Sequence, residues 1–186
     1  QTTPADLDYK IALAAGQPAG VLADVTATAL ENLVLQQPDE ITGQNLSEVV
    51  LAPTNVTAST FGKIGFFPVD GQVDAQPLHL SNVNVPGNGT HNVVYVVTEG
   101  DSAYAFDSHT GQILWQVSLL GAGEIPSDDR GCNEVTPQIG VTSTPVIDRT
   151  RGPNGAIYLV AMSTDGQGNY FQRLHALDIT TGAELF

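Results

Sequence analysis

One segment of this chain occurs twice. Ser102-Ala-Tyr-Ala-Phe-Asp-Ser-His-Thr-Gly-Gln-Ile-Leu-Trp115 returns as Arg173-Leu-His-Ala-Leu-Asp-Ile-Thr-Thr-Gly-Ala-Glu-Leu-Phe186. Ala105, Asp107, Thr110, Gly111 and Leu114 align with Ala176, Asp178, Thr181, Gly182 and Leu185, and Trp115 aligns with Phe186. Each copy reads as strand, tight turn, strand. The turns open on an aspartate whose carboxylate can accept from the backbone downstream, and close on a glycine free to take positive φ. Repetition at this spacing marks a repeat architecture, in which one unit cannot bury its apolar surface without a neighbour.

The similarity extends upstream. Strand-like runs over 73–80 and 92–98 precede the first copy, and runs over 140–148 and 156–162 precede the second, with Pro77 matching Pro145 and Tyr95 matching Tyr158. Each prolines' place suits a strand end or an edge. The expected fold class is all-β. It consists of two four-stranded antiparallel propeller-type blades, a partial β-propeller, with an extended N-terminal arm. The strands are expected over 73–80, 92–98, 102–107 and 112–118, then 140–148, 156–162, 171–178 and 183–186. Blade one thus spans about 73–118 and blade two about 140–186, within a region 41–186.

Residues 1–40 lack the repeat's turn signals. Val21, Ala23, Val25, Ala27 and Ala29 alternate as in a strand, and Val and Thr cluster there. This stretch is expected to be an extended arm, packed on its own chain or added to a neighbour's sheet edge.

The repeat resembles that of pyrroloquinoline quinone-type β-propellers. Its pattern is a small residue, an apolar residue, Ala, an apolar residue, Asp, two variable residues, Thr-Gly, then an apolar residue before Trp. Residues 103–115 match almost throughout, and the second copy departs at Phe186. The stretches 42–56, 69–78 and 140–148 and Phe61-Gly-Lys-Ile64 resemble a bacterial secreted branch of that family, so the likeness covers about residues 42–186. It implies structural roles for Tyr104, Asp107, Gly111, Trp115, Asp178, Gly182 and Phe186, with Trp115 packed between blades. It also implies that the run 62–68 is a leading strand of the kind that completes a last blade in closed rings. Two blades are fewer than such a ring holds, and their open faces require a neighbour. That neighbour is expected to be another copy, or a further part of a longer product.

Quinone dehydrogenases of the family use a calcium ion, an aspartate base and a Trp floor under the cofactor. Their ligands come from many blades, and the vicinal cysteine pair common among them is absent, because Cys132 is the only cysteine. No catalytic or cofactor-binding residue is therefore assigned, no cofactor is expected, and calcium stays open. The rival expectation is an oxidoreductase whose catalytic residues lie beyond Phe186.

Twenty acidic residues oppose six basic ones, for a net charge of −14. That excludes nucleic acid as a natural partner and disfavours anionic membranes. No apolar run is long enough to span a bilayer. The N-terminal Gln1, the scarcity of lysine and the abundance of Thr, Asn and Gln favour an exported, extracellular or cell-surface protein. Asn45, Asn55 and Asn88 begin acceptor sequons.

The densest polar stretch is 123–134. Glu124, Asp128, Asp129 and Glu134 could offer hard oxygen ligands to a divalent cation, although the spacing is not that of an EF-hand. A solvated acidic loop is the competing reading. His79, His91, His109 and His175 have no metal-ligand spacing. The expected partners are further copies of the chain, met through sheet edges and the N-terminal arm.

Overall fold

A computed structural model describes residues 66–186 together with Ala52, Thr54, Val56 and Thr57. The arm 1–40, Asn45, Asn55 and residues 62–65 lie outside the described residues. Nine strands and no helix are found among those described.

Sheet one is a meander of β1 (Leu78–Val85), β2 (Gly89–Val97), β3 (Ser102–Asp107) and β4 (Ile113–Ser118). Valines, tyrosines and alternating small residues favour this half-buried pleat. The first strand begins later than expected, because Pro77 has no N–H to give to a ladder. It runs on to Val85 through an irregularity at Leu80–Val83, where Asn82 takes a φ of 56°.

Sheet two joins β7 (Val146–Asp148), β8 (Ala156–Thr164) and β9 (Tyr170–Asp178) to an unforeseen pair, β5 (Ile125–Asp128) and β6 (Gln138–Ile139). Two four-stranded sheets were expected, and the second has five strands. The expected inner strand 140–148 is split. β7 pairs with the start of β8, while β5 pairs with its end through Ile125–Thr164 and Pro126–Ser163. The expected outer strand 183–186 is reduced to a single bridge, Leu177 to Glu184, with Leu185 N–H donating to the Ala176 carbonyl at 2.8 Å.

The sheets pack face to face. One core joins Leu78, Tyr95, Val97, Ala105 and Trp115 of sheet one to Ile157, Leu159, Leu177 and Ile179 of the second half. The opposite face of sheet one is built by Val94, Val96, Tyr104 and Phe106, and the segment bearing Phe67, Val69 and Val73 lies over it. Phe67 stacks on Phe106 at 5.3 Å. Phe66–Pro68, the described part of the expected leading strand, is therefore a covering segment without strand pairing.

Candidate functional site

The residues shared by the two repeats build the same turn twice. Gly111 N–H donates to the Asp107 carbonyl and Gly182 N–H to the Asp178 carbonyl, both at 2.8 Å. The two glycines take φ of 74° and 71°. Asp107 Oδ1 accepts from His109 N–H, Thr110 N–H and the Thr110 hydroxyl. Asp178 Oδ1 accepts from Thr180 N–H, the Thr180 hydroxyl and Thr181 N–H. An aromatic ring lies against each glycine: a Cβ at Gly111 would collide with Phe67, and one at Gly182 would come within 2.7 Å of Trp115. Trp115 is buried between the sheets, and its Nε1–H donates to the Ile179 carbonyl at 3.1 Å. Tyr95 donates its hydroxyl to the same oxygen at 2.9 Å. Tyr104 stacks on Phe106 and accepts from Gln116 through its hydroxyl.

The second concentration of chemistry is a set of buried acids at the seam between the sheets. β2 passes to β3 through Thr98-Glu99-Gly100-Asp101, with Asp101 at a φ of 56°. Glu99 and Asp101 are fully buried. The turn is bonded on every side. Glu99 N–H donates to the Gln72 carbonyl, Val141 N–H to the Thr98 carbonyl, and Leu119 N–H to the Asp101 carbonyl. Glu99 Oε2 accepts from Gly140 N–H at 2.6 Å and from the Thr142 hydroxyl at 3.2 Å. Gly140 has to be glycine here, since a Cβ would lie 2.7 Å from the Glu99 carbonyl oxygen. Asp70 holds the other side, accepting from the Thr98 and Ser102 hydroxyls.

Burial pushes the Glu99 carboxyl above its ordinary range, against the Gly140 and Thr142 hydrogen bonds, and the neighbouring Asp74 raises it further. Asp101 is pushed up to about 7, first by burial and then by the charges of Glu99, Glu124 and Asp70, with the Met162 amide opposing. Neither oxygen of Asp101, nor Oε1 of Glu99, has a hydrogen bond of ordinary geometry. Such a pair favours the neutral acid form in a low-dielectric setting. The sequence shows two acids around a glycine between two apolar runs, which reads as an exposed hairpin turn. Only the packing of 138–142 over it turns the residues inward.

The four acids of the 123–134 loop are not gathered. Glu124 is bound in a fork to Arg173, at 2.7 and 2.6 Å, and also accepts from Ser163 and Gly121 N–H. The Arg173 hydrogen bonds hold its carboxyl at about 2. Asp128 accepts from the Tyr170 hydroxyl at 3.1 Å, Asp129 accepts from Gly131 N–H, and Glu134 is exposed. Among the described residues no group of three or more His, Cys, Asp or Glu is placed to hold a metal ion.

The histidines are likewise dispersed. His79 is buried, His91 meets Asp107 at 2.7 Å, His109 is exposed in its turn, and His175 meets Glu184 at 2.8 Å. Cys132 is exposed. Asn88 is exposed in the hairpin between β1 and β2.

No family model matches this chain, and no curated protein is significantly similar to it.

Proposed function

We propose that this chain is a non-catalytic module of the pyrroloquinoline quinone-type β-propeller class, exported from the cell, that works by joining other copies of itself into a ring or filament. The observation that carries this reading is a difference between equivalent faces. Leu78, Ala103 and Trp115 on the inner face of the first sheet are 1%, 1% and 8% exposed, while their counterparts Val146, Leu174 and Phe186 are 64%, 61% and 64% exposed. Large apolar residues grouped on one sheet face mark an interaction surface. Serial antiparallel sheets, packed face to face and each carrying the recurring Asp-x-x-Thr-Gly turn, support the propeller class. The reading calls for no quinone, and purified protein is expected to carry no quinone absorbance.

Sedimentation velocity at micromolar concentration and physiological salt tests the reading. Species larger than the 19.5 kDa chain, growing with concentration, are expected. A sharp monomer boundary across the whole range would overturn it.

A further inference from the structure

The chain has two Asn-Gly steps, and the fold places them in equivalent hairpins. Asn88-Gly89 lies in the turn between β1 and β2, and Asn154-Gly155 in the turn between β7 and β8. Gly89 and Gly155 take nearly the same φ, 98° and 97°. Each asparagine is also tied to its own repeat's aspartate. Asn154 reaches Asp178 directly, whereas the Asn88 main-chain carbonyl accepts from His91 Nε2 at 3.0 Å and His91 Nδ1 meets Asp107 at 2.7 Å. What surrounds the two steps differs. The Asn154 side-chain amide donates to Asp178 at 2.7 Å, and Gly155 N–H donates to the Arg151 carbonyl at 2.9 Å. A Cβ at Gly155 would lie 2.9 Å from Ile179 and 3.1 Å from the Arg149 backbone. Asn88, Gly89 and Thr90 are all exposed, and the Asn88 side chain has no hydrogen bond to the described residues. A Cβ at Gly89 would meet nothing within 4 Å.

We propose that Asn88 is a self-modification site, at which the Gly89 nitrogen displaces the side-chain amide and the isoaspartyl product gives His91 a second carboxylate. Gly89 has no side chain to screen its nitrogen, and the open turn leaves room for a five-membered ring. The Gly89 nitrogen gives its proton to solvent and bonds to Asn88 Cγ. The Cγ–Nδ2 bond breaks, and the amide leaves as ammonia after taking a proton from water. Water then opens the cyclic imide. Opening at Cγ gives aspartate, and opening at the former main-chain carbonyl carbon gives isoaspartate. One water is consumed and one ammonia released, with no change of oxidation state. In the isoaspartyl form the main chain runs through Cγ. The former carbonyl of residue 88, which accepts from His91 Nε2, becomes a carboxylate. Asp107 is the charge that acts on His91 before the change. After it, the imidazole lies between two carboxylates, one on each ring nitrogen, which favours its charged form. At Asn154 the same reaction would have to break two hydrogen bonds and move a packed glycine, so the second repeat keeps its amide.

Two Asn-Gly steps in one chain supply an internal control for the test. The full chain, folded and in guanidinium, is incubated in mild alkali. Both sites are followed by peptide mass spectrometry with fragmentation that separates isoaspartate from aspartate. In the folded protein Asn88 is expected to convert at least about tenfold faster than Asn154, with isoaspartate among the products. In guanidinium the two are expected to convert at similar rates, because the dipeptide is the same. NMR titration of the aged protein, enriched by anion exchange, is expected to show the His91 midpoint raised by about one pH unit. Asn88→Ser, which has no amide to lose, is expected to keep its His91 midpoint through the same incubation. Asn88 that lasts as long as Asn154 in the folded protein overturns the proposal. Isoaspartate at residue 88 with an unmoved His91 midpoint overturns the carboxylate contact to His91.

Discussion

The two repeats use one turn and two different locks. In the first, Asp107 Oδ2 meets the imidazole of His91 at 2.7 Å. In the second, Asp178 Oδ2 accepts from the neutral amide of Asn154, also at 2.7 Å. Their glycines differ in the same sense. Gly182 receives a tryptophan fixed by its own hydrogen bond to Ile179, whereas Gly111 receives a half-buried phenylalanine. The geometry of the Asp-x-x-Thr-Gly turn is thus set locally, by hydrogen bonds inside it. Its contribution to stability is set by what the next element lays on it. Sequence likeness within the repeat reports the first and says little about the second.

Breaking the aromatic contacts should separate the repeats most. Trp115→Ala removes a large side chain from the shared core and leaves its cavity, at a cost of about 3–5 kcal/mol. Phe186→Ala, at the aligned position, alters an exposed residue and should stay within about 0.5 kcal/mol for the monomer. Denaturant unfolding of dilute protein measures both. Equal costs would mean that the two positions are buried alike, contrary to the exposures of 8% and 64%.

The glycines come next. At both sites alanine must adopt a positive φ, which costs about 1–2 kcal/mol. Gly182→Ala also drives a methyl to 2.7 Å from Cε3 and 2.9 Å from Cδ2 of Trp115. Those atoms belong to the rigid body of an anchored ring, and overpacking of that kind adds about 1–3 kcal/mol. At Gly111 the obstacle is the Cδ1–Cε1 edge of the Phe67 ring, which is half-buried on a segment without strand pairing and so has more room to give. Gly182→Ala should therefore cost more than Gly111→Ala. A larger loss at Gly111 would show that residues 66–73 are held as firmly as sheet two.

Much of this architecture is legible in the sequence, and the reasons for the rest are physical. Ala103–Asp107 and Ala156–Met162 are β-branched, aromatic or small runs bounded by turn residues, and each lies within a strand found here. Ser81-Asn-Val-Asn-Val85 lies beyond the strand expected over 73–80. It continues β1 because Val83 and Val85 reach the core while Asn82 absorbs the irregularity. Ile125-Pro-Ser-Asp128 has no alternation to mark a strand. It pairs because the end of β8 projects beyond β7 and offers it an edge. The acids around Gly100 show the limit most clearly. Glu99 and Asp101 are indistinguishable in sequence from solvated turn acids, and their burial comes from Gly140 and Val141 folding onto them from some forty residues away.

The seam acids give sheet one a pH response that the turn of sheet two lacks. Asp101 has its folded value raised from 3.8 to about 7. The folded protein therefore holds a proton that the unfolded chain releases. This contribution is complete below the unfolded value and is lost as pH rises toward the folded one, at up to about 1.4 kcal/mol per pH unit. Asp101→Asn should remove that slope. It should match the wild type in acid and exceed it in stability at about pH 8. The difference between the two stability curves isolates the group from other titrations. A difference that does not change with pH would place Asp101 outside the buried, proton-retaining environment seen here.

The smallest expected effect lies at His91, where the two locks can be exchanged. The Asp107 hydrogen bond raises the imidazole above 6.5, helped by the Asn88 carbonyl. This contribution is full below the unfolded value and is lost as pH rises through the folded one. Burial would raise Asp107, but hydrogen bonds from His91, Thr110 and His109 outweigh it and lower its value. Its contribution is present above 3.8 and is lost as pH falls through the folded value. The first turn is therefore most stable between these limits. Asp178, lowered against burial by Thr180 and Asn154, has only the acid-side limit. His91→Asn should convert the first turn to the second kind. It should cost about 1 kcal/mol in mild acid and close to nothing in mild alkali. Asn154→His should install the alkaline-side loss in sheet two. Thermal unfolding on either side of neutrality, paired with NMR titration of the His91 ring, measures both variants. An imidazole titrating at or below 6.5 would mean that His91 and Asp107 do not form the charged pair on which this difference between the repeats depends.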